Sequence, residues 1–395
     1  MYLRNGRVGI FDLSNMDSSE EELVEASTLE GISAVNVSKQ LLDRHGPESL
    51  VLATGPLTAS FAPASCCGFI RTGGASPKIA PVLGFAAVEL KLSGFDFLVV
   101  KGKAEEPGYL WVRDGIVEFS ESEEMRSMNS WARTDRVRAD QGDSKIQVIA
   151  AGPWGDAGSP ASQLVNCYWG GEDKVGMAAE FGRMGMLAAA FRGMGELELA
   201  EPEGHFDEAL LLMREQIARL GDNKGLASYF EGATRKDLEV LVHRHIGCYG
   251  CPFPCRTYVK IDEDPSELRL ESREPGYLHY DVPALEKAFE IGLDARAATV
   301  LLRDCAKAGV EPVAAMQGME RAGKLAGGFA PSQSGTTVEH LPSAGAKNFE
   351  RALSKDDDYL AALGLGLCPR YWSKAGWDMM SIAPFAESTF GWKRD

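Results

Sequence analysis

Long hydrophobic runs are missing from this sequence. Nowhere do about eighteen apolar residues follow one another, so no bilayer-spanning helix is encoded. The opening stretch MYLRNGRVGIFDLSN lacks the apolar segment of a secretory signal, and a cytoplasmic location is expected. Basic charge is also short. Lys and Arg number 41 against 57 Asp and Glu, a net charge of −16. Such a surface repels phosphate backbones, which excludes nucleic acid as a general partner. It leaves a soluble enzyme, or a protein that docks a basic patch. No repeat of fixed period is visible. A second C-x2-C pair, usual in structural zinc sites, is absent too.

What is present is enough chain for two or three domains, 395 residues of ordinary globular composition. The first two hundred residues read as β-rich. RVGIFDL (7–13) has a strand pattern, and SLVLATGPL (49–57) is an apolar run stopped by Gly55-Pro56. FDFLVVKGKA (95–104) predicts another buried strand. GYLWVRDGIVEFS (108–120) alternates around Asp114-Gly115, the signature of a hairpin. KIQVIAAGPWGD (145–156) is again a strand entering a Gly-Pro turn. Helical spacing takes over in HFDEALLLMREQIARLG (205–221), which stops at Gly221. Residues 282–310 predict two helices joined at IGLDA. A polar Gly/Pro/Ser-rich stretch at 327–347 reads as a linker, and YLAALGLGLCPRYW (359–372) as a helix running to a Cys-Pro stop. The expected fold class is α+β. A β-rich domain over 1–203 precedes a helical domain over 204–330 and a short C-terminal helical segment over 331–395.

Eight cysteines carry the chemistry. In a cytosolic chain of this length, clustered cysteines indicate metal or redox ligands in place of a disulfide framework. In HIGCYGCPFPCRTY (245–258), Cys248, Cys251 and Cys255 follow C-x2-C-x3-C spacing. Two intervening residues turn the chain back, so a single loop can present all three thiolates to one centre. Pro252 and Pro254 stiffen that loop. Radical-SAM clusters use the reverse order, C-x3-C-x2-C. A [4Fe-4S] cluster completed by a distant cysteine fits best, with structural zinc as the competing reading. The fourth ligand must be Cys66, Cys67, Cys167, Cys305 or Cys368. Cys368, at a glycine-loosened helix end before Pro369, is preferred, and the vicinal pair Cys66-Cys67 competes with it. Cys167 and Cys305 read most simply as small buried hydrophobes.

Several segments together resemble the tungsten-pterin aldehyde ferredoxin oxidoreductases, in that family's order. They are VLATGPLTASFAP (51–63), GFAAVELKLSGFDFLVVKGKAEEPGYLWV (84–112), the cysteine element, FEIGLD (289–294) and LGLC (365–368). The resemblance implies a β-rich base for two pterins holding one tungsten, sometimes molybdenum, closed over by helical domains. It implies a [4Fe-4S] cluster on Cys248, Cys251, Cys255 and Cys368, and electron transfer to ferredoxin or another iron–sulfur redox subunit. It implies oxidation of an aldehyde to a carboxylic acid, the hard step being carried by the cofactor. Carried over by position, Gly292, Leu293, Asp294, Gly366 and Leu367 belong to the pterin motifs, and Arg183 to a phosphate contact. A dimer or larger redox assembly is expected, with a full-length family member as one conceivable partner.

The sequence also departs from the family pattern. Where the family has Asp at the head of each G-L motif, this chain has Phe289 and Leu363. Neither can accept hydrogen bonds from pterin amines, and each buried donor left unpaired costs roughly 1–3 kcal/mol. Cys66 or Cys67 falls where an Arg stands between pterin and cluster, and Pro81 falls near a magnesium-binding Asn. Two functional expectations follow. One is a compact carbonyl oxidoreductase with Glu274 or His279 moving protons. The other is a paralogue without metallopterin that serves as an electron-transfer or scaffold subunit. HRHIG (243–247) and Arg256 place positive charge beside the cysteines, where it should raise a cluster's potential.

Overall fold

The computed structural model describes residues 4–23, 29–221, 225–259, 277–278, 281–321 and 357–369. Within them the chain is α+β. Strands β1 (Arg7–Asp12), β2 (Asp17–Glu22), β3 (Leu50–Thr54), β4 (Gly68–Thr72), β5 (Ile79–Val82) and β6 (Phe97–Lys101) form one sheet in the order β2-β1-β6-β3-β4-β5. A second sheet has the order β10-β9-β11-β7-β8. It is built from β7 (Gly108–Arg113), β8 (Ile116–Glu121), β9 (Gln147–Ala150), β10 (Val165–Asn166) and β11 (Met186–Arg192). Both sheets are mixed: β1 runs parallel to β6 and β11 parallel to β7, and the other pairings are antiparallel. The Asp114-Gly115 hairpin joins β7 to β8, with φ of 43° and 83° at its two central residues.

Period-2 alternation explains the continuous apolar strands. Leu50 and Leu52 of β3, and Leu98 and Val100 of β6, enter a core shared with Leu110, Val112 and Phe191 of the second sheet. Their neighbours Val51, Ala53, Phe97 and Val99 face the opposite way, toward Val37 and Leu41 of the helix Ala34–His45. Strands buried on both faces need no polar alternation. The second face also meets the segment 57–67 and the late residues Leu363, Leu365, Leu367 and Cys368. This is where the sheet positions the site.

The helical region begins with Pro202–Leu220, which stops at Gly221. Helices Val282–Glu290, Ala295–Ala308 and Pro312–Arg321 build a separate core around Leu285, Ala298, Leu302, Cys305 and Met316. Strands β12 (Val242–Ile246), β13 (Arg256–Val259) and β14 (Tyr277–Leu278) form a small antiparallel sheet that brackets the cysteine loop. Lys174 locks this region to the first. Its ammonium lies 2.7 Å from both Asp281 and Glu311, which cap the helices at 282 and 312. The last described helix, Asp357–Leu365, ends at Gly366, two residues before the expected Cys-Pro stop, because Gly366 turns left-handed (φ 87°). The linker expected at 327–347 lies outside the described residues.

Candidate metal centre

The segment 55–67 is the hub on which the thiols meet. Behind it, Lys91 and Asp96 form a buried ion pair at 2.7 Å, and the Lys91 ammonium donates to the Gly55 carbonyl at 3.1 Å. Backbone bonds then tie the hub to two distant parts of the chain. The Ala64 N–H donates to the Gly250 carbonyl (3.0 Å) and the Tyr249 hydroxyl to the Ala59 carbonyl (3.2 Å), which seats the cysteine loop. Leu57 N–H donates to Leu365 O (2.8 Å), Cys67 N–H to Gly366 O (3.1 Å) and Cys368 N–H to Ala64 O (2.9 Å), which seats the late cysteine. Gly55 and Gly366 permit this approach. A Cβ added to Gly55 would stand 2.0 Å from the Gly366 nitrogen.

Cys248 and Cys251 are half-buried and Cys255 and Cys368 buried, and their sulfurs feel one another's charge. The Cys251 thiol is pushed well up, first by burial and then by Cys248, Cys368 and Cys255. Cys66 is fully buried nearby: its Sγ donates to the Ala64 carbonyl at 3.6 Å, and its thiol is pushed well up, first by Cys248 and then by burial. Among the described residues, no set of three His, Cys, Asp or Glu side chains closes tightly enough to hold one metal ion. Cys167 and Cys305 are buried elsewhere: Cys305 packs in the helical core as a small hydrophobe, whereas the Cys167 sulfur accepts from Val148 N–H (3.4 Å) and Arg138 (3.5 Å) and donates to Gln147 (3.3 Å).

Arg256 follows the cysteine loop directly. It is 5% exposed, lies over the Trp169 ring at 5.2 Å, and donates to Glu172 (3.2 Å) and to the Leu83 carbonyl (3.0 Å). Burial works against its charge, but Cys248, Glu172 and Cys255 hold it firmly protonated. Gly84 is required beside it, since a Cβ there would fall 2.6 Å from the guanidinium. The Arg256 Nε–H has no hydrogen-bond partner among the described residues. Of the neighbouring basic group, His245 contacts Thr257 at 3.2 Å and His243 packs edge-on against Tyr258.

The two G-L motifs share one geometry. Gly292 and Gly366 both sit near φ 88°, and Leu293 and Leu367 each donate an amide back to the carbonyl five residues earlier (Ala288 and Ala362). The Asp294 carboxylate caps the following helix by accepting from Ala297 N–H at 2.7 Å. Phe289 packs edge-on against Phe230, and Leu363 is fully buried in the core next to the hub. Arg183 is exposed and paired with Glu180 at 3.0 Å. Pro81 lies in β5 opposite Phe69. Glu274 and His279 lie outside the described residues. Sequence reasoning missed Glu172, Trp169 and the Lys91–Asp96 pair. The one available signal was a lysine inside the apolar run VELKL.

These elements define an α+β scaffold with a buried thiol-lined centre. Residues 12–193 match the family described as aldehyde ferredoxin oxidoreductase, N-terminal domain. The chain is 26% identical over 240 residues to the tungsten-containing aldehyde ferredoxin oxidoreductase of Pyrococcus furiosus, covering 56% of this chain and 38% of that protein. It is 27% identical over 210 residues to the WOR-like subunit of an aliphatic sulfonate oxidoreductase from the same organism, covering 49% of this chain and 32% of that subunit. The fold superposes on the active-site complex BamBC of benzoyl coenzyme A reductase in complex with 1,5-dienoyl-CoA. There the TM-score is 0.67 over 98% of this chain and 65% of that one, at 16% identity. Over residues 12–193 the chain is thus similar to the N-terminal domain of the aldehyde ferredoxin oxidoreductases. The matches span less than half the length of either of the two Pyrococcus relatives. No helix among the described residues is long and apolar enough to cross a membrane.

Proposed function

We propose that this protein is an electron-transfer member of the family. In this reading Cys248, Cys251, Cys255 and Cys368 hold one [4Fe-4S] cluster, which exchanges electrons with a ferredoxin or another iron–sulfur subunit. The observation that carries the reading is the convergence of three chain segments, 55–67, 248–255 and 365–368, on one buried point. The donor set suits a cluster. Four thiols come from a stiffened loop and a helix end, with a buried guanidinium whose Nε–H is left unspent for an anionic acceptor. A cluster supplies single-electron transfer. The protein's own part is to bury the thiolates, fix their spacing and set the potential with nearby cations.

A tungsten bis-pterin, the cofactor that the sequence resemblance implies, is poorly served by the residues present. Leu363 and Phe289 offer no acceptors, Asp294 is engaged as a helix cap, and Arg183 faces solvent. This favours the electron-transfer or scaffold role over aldehyde oxidation by the chain alone. The test is single Cys→Ser replacement under anaerobic reconstitution. Each of the four positions should lose the visible absorption that dithionite bleaches, whereas Cys167→Ser and Cys305→Ser should keep it. Retention of a full cluster in Cys368→Ser would overturn the ligand set.

A further inference from the structure

The helix Pro202–Leu220 is apolar over more of its circumference than its own chain covers. Its inner face is settled: His205, Ala209 and Gln216 are buried, and Leu212 packs toward the core beneath the first sheet. Beside that face runs a second stripe of Phe206 (47% exposed), Leu210 (48%), half-buried Met213 and Ile217 (52%), with Leu211 (60%) at its margin. The Phe206 ring lies 5.5 Å from that of Phe61, itself 45% exposed, and Phe61 lies 5.1 Å from Tyr249. The apolar patch therefore runs on from the helix across the hub, and a patch of that kind marks an interaction surface. We propose that this face pairs with the same helix of a second copy of the chain, antiparallel and about a two-fold axis. The inference does not depend on the cluster reading.

Positions 206, 210, 213 and 217 alternate steps of four and three residues, the repeat with which two helices interlock. Charge selects the occupant. Asp207 and Arg214 lie one heptad apart along one edge of the stripe, both exposed, and neither forms an ion pair among the described residues. When the partner helix runs the opposite way, Phe206 stands across from Ile217 and Leu210 across from Met213, and each edge meets its own copy reversed. Asp207 then faces Arg214 of the partner subunit, and Arg214 faces Asp207 of the partner subunit. A parallel partner would set both against the other edge, Ala209 and Gln216, which carries no charge. The net charge of −16 opposes approach, but physiological salt screens it beyond about 8 Å, and the local pairs decide. One helix pair with its flanking rings buries less than a standard interface, so the dimer should be weak and concentration-dependent.

Sedimentation velocity over a dilution series of the anaerobically purified protein tests this. Wild type should show reversible monomer–dimer exchange, and Leu210→Glu should stay monomeric. Asp207→Arg and Arg214→Asp each turn both pairs repulsive, and each should raise the dimer dissociation constant roughly tenfold. Mixing the two single variants sets opposite charges face to face again and should return the mixture toward wild-type affinity. A wild type that is monomeric at every concentration would overturn the proposal. So would a dimer indifferent to Leu210→Glu, which would place the interface elsewhere, or a mixture no tighter than its components, which would deny the antiparallel pairing. Ferredoxin binding by a monomeric wild type, lost in Leu210→Glu, would also overturn it and give the face to a redox partner.

Discussion

Gly55 has no side chain to offer a ligand, yet on the proposed cluster reading replacing it should empty the centre. An alanine methyl carbon at this position would stand 2.0 Å from Gly366 N and 2.2 Å from the Leu365 carbonyl carbon, where real contacts stay beyond 3.0 Å. All the obstructing atoms are backbone, so no side chain can rotate away. The hub and the late helix end must separate, straining the bonds Leu57 N–H to Leu365 O (2.8 Å) and Cys67 N–H to Gly366 O (3.1 Å). Two such bonds are worth about 1 kcal/mol each, and overpacking adds about 1–3 kcal/mol. The sum, roughly 3–5 kcal/mol, corresponds to a fall in Tm on the order of 10 °C for a domain of this size. Cys368 moves with the displaced segment, so iron bound per chain should drop well below wild type. Gly142→Ala is the control: it shares a positive φ (69°) but has nothing within 4 Å of its added carbon, and should cost only about 1 kcal/mol. A Gly55→Ala protein with wild-type Tm and full iron would refute the argument that this backbone contact builds the site.

Lys91→Ala should destabilise by about 2–4 kcal/mol in denaturant titration, because it removes the ion-pair partner of Asp96 (1% exposed) and leaves only Arg4 and the Gly6 N–H (2.8 Å) to offset that buried charge. A change below about 1 kcal/mol would contradict that. Arg256→Gln removes the buried cation beside Cys248 and Cys255, and should move the cluster midpoint to a more negative value with iron retained. An unmoved potential would deny Arg256 any such role. The Glu180 carboxyl sits below its usual range: burial pushes it up, but Lys78 at 2.9 Å and Arg183 at 3.0 Å outweigh that. Its contribution to stability is therefore complete above the unfolded value near about 4.3 and fades as pH falls through the lower folded value. Chemical denaturation of Glu180→Gln should accordingly show a shallower loss of stability between about pH 5 and pH 3 than wild type does.

Much of this was legible because the local signals were strong. The doubly buried strands β3 and β6 read as continuous apolar runs, and Asp114-Gly115 announced its hairpin. Cys368 was singled out as a helix-end cysteine, and it shares a core with Cys255 against which Cys248 and Cys251 pack. What could not be read was contact across distance. That Lys91 reaches Asp96 and Gly55 and that Arg256 reaches Glu172 and Trp169 both depend on how separate segments dock. The helix end at Gly366 was placed late because the leucines on either side continue a helical pattern, and only the left-handed turn interrupts it. Both G-L motifs proved to be helix stops of one geometry, so their glycines have a structural reason to be there whatever binds nearby.

The central claim is a cluster without a metallopterin, and metal content tests it most directly. Protein purified anaerobically from cells supplied with iron, tungstate and molybdate should contain about four irons per chain and no stoichiometric tungsten, molybdenum or zinc. One tungsten or molybdenum per chain would contradict the electron-transfer reading, and one zinc in place of the iron would contradict the cluster.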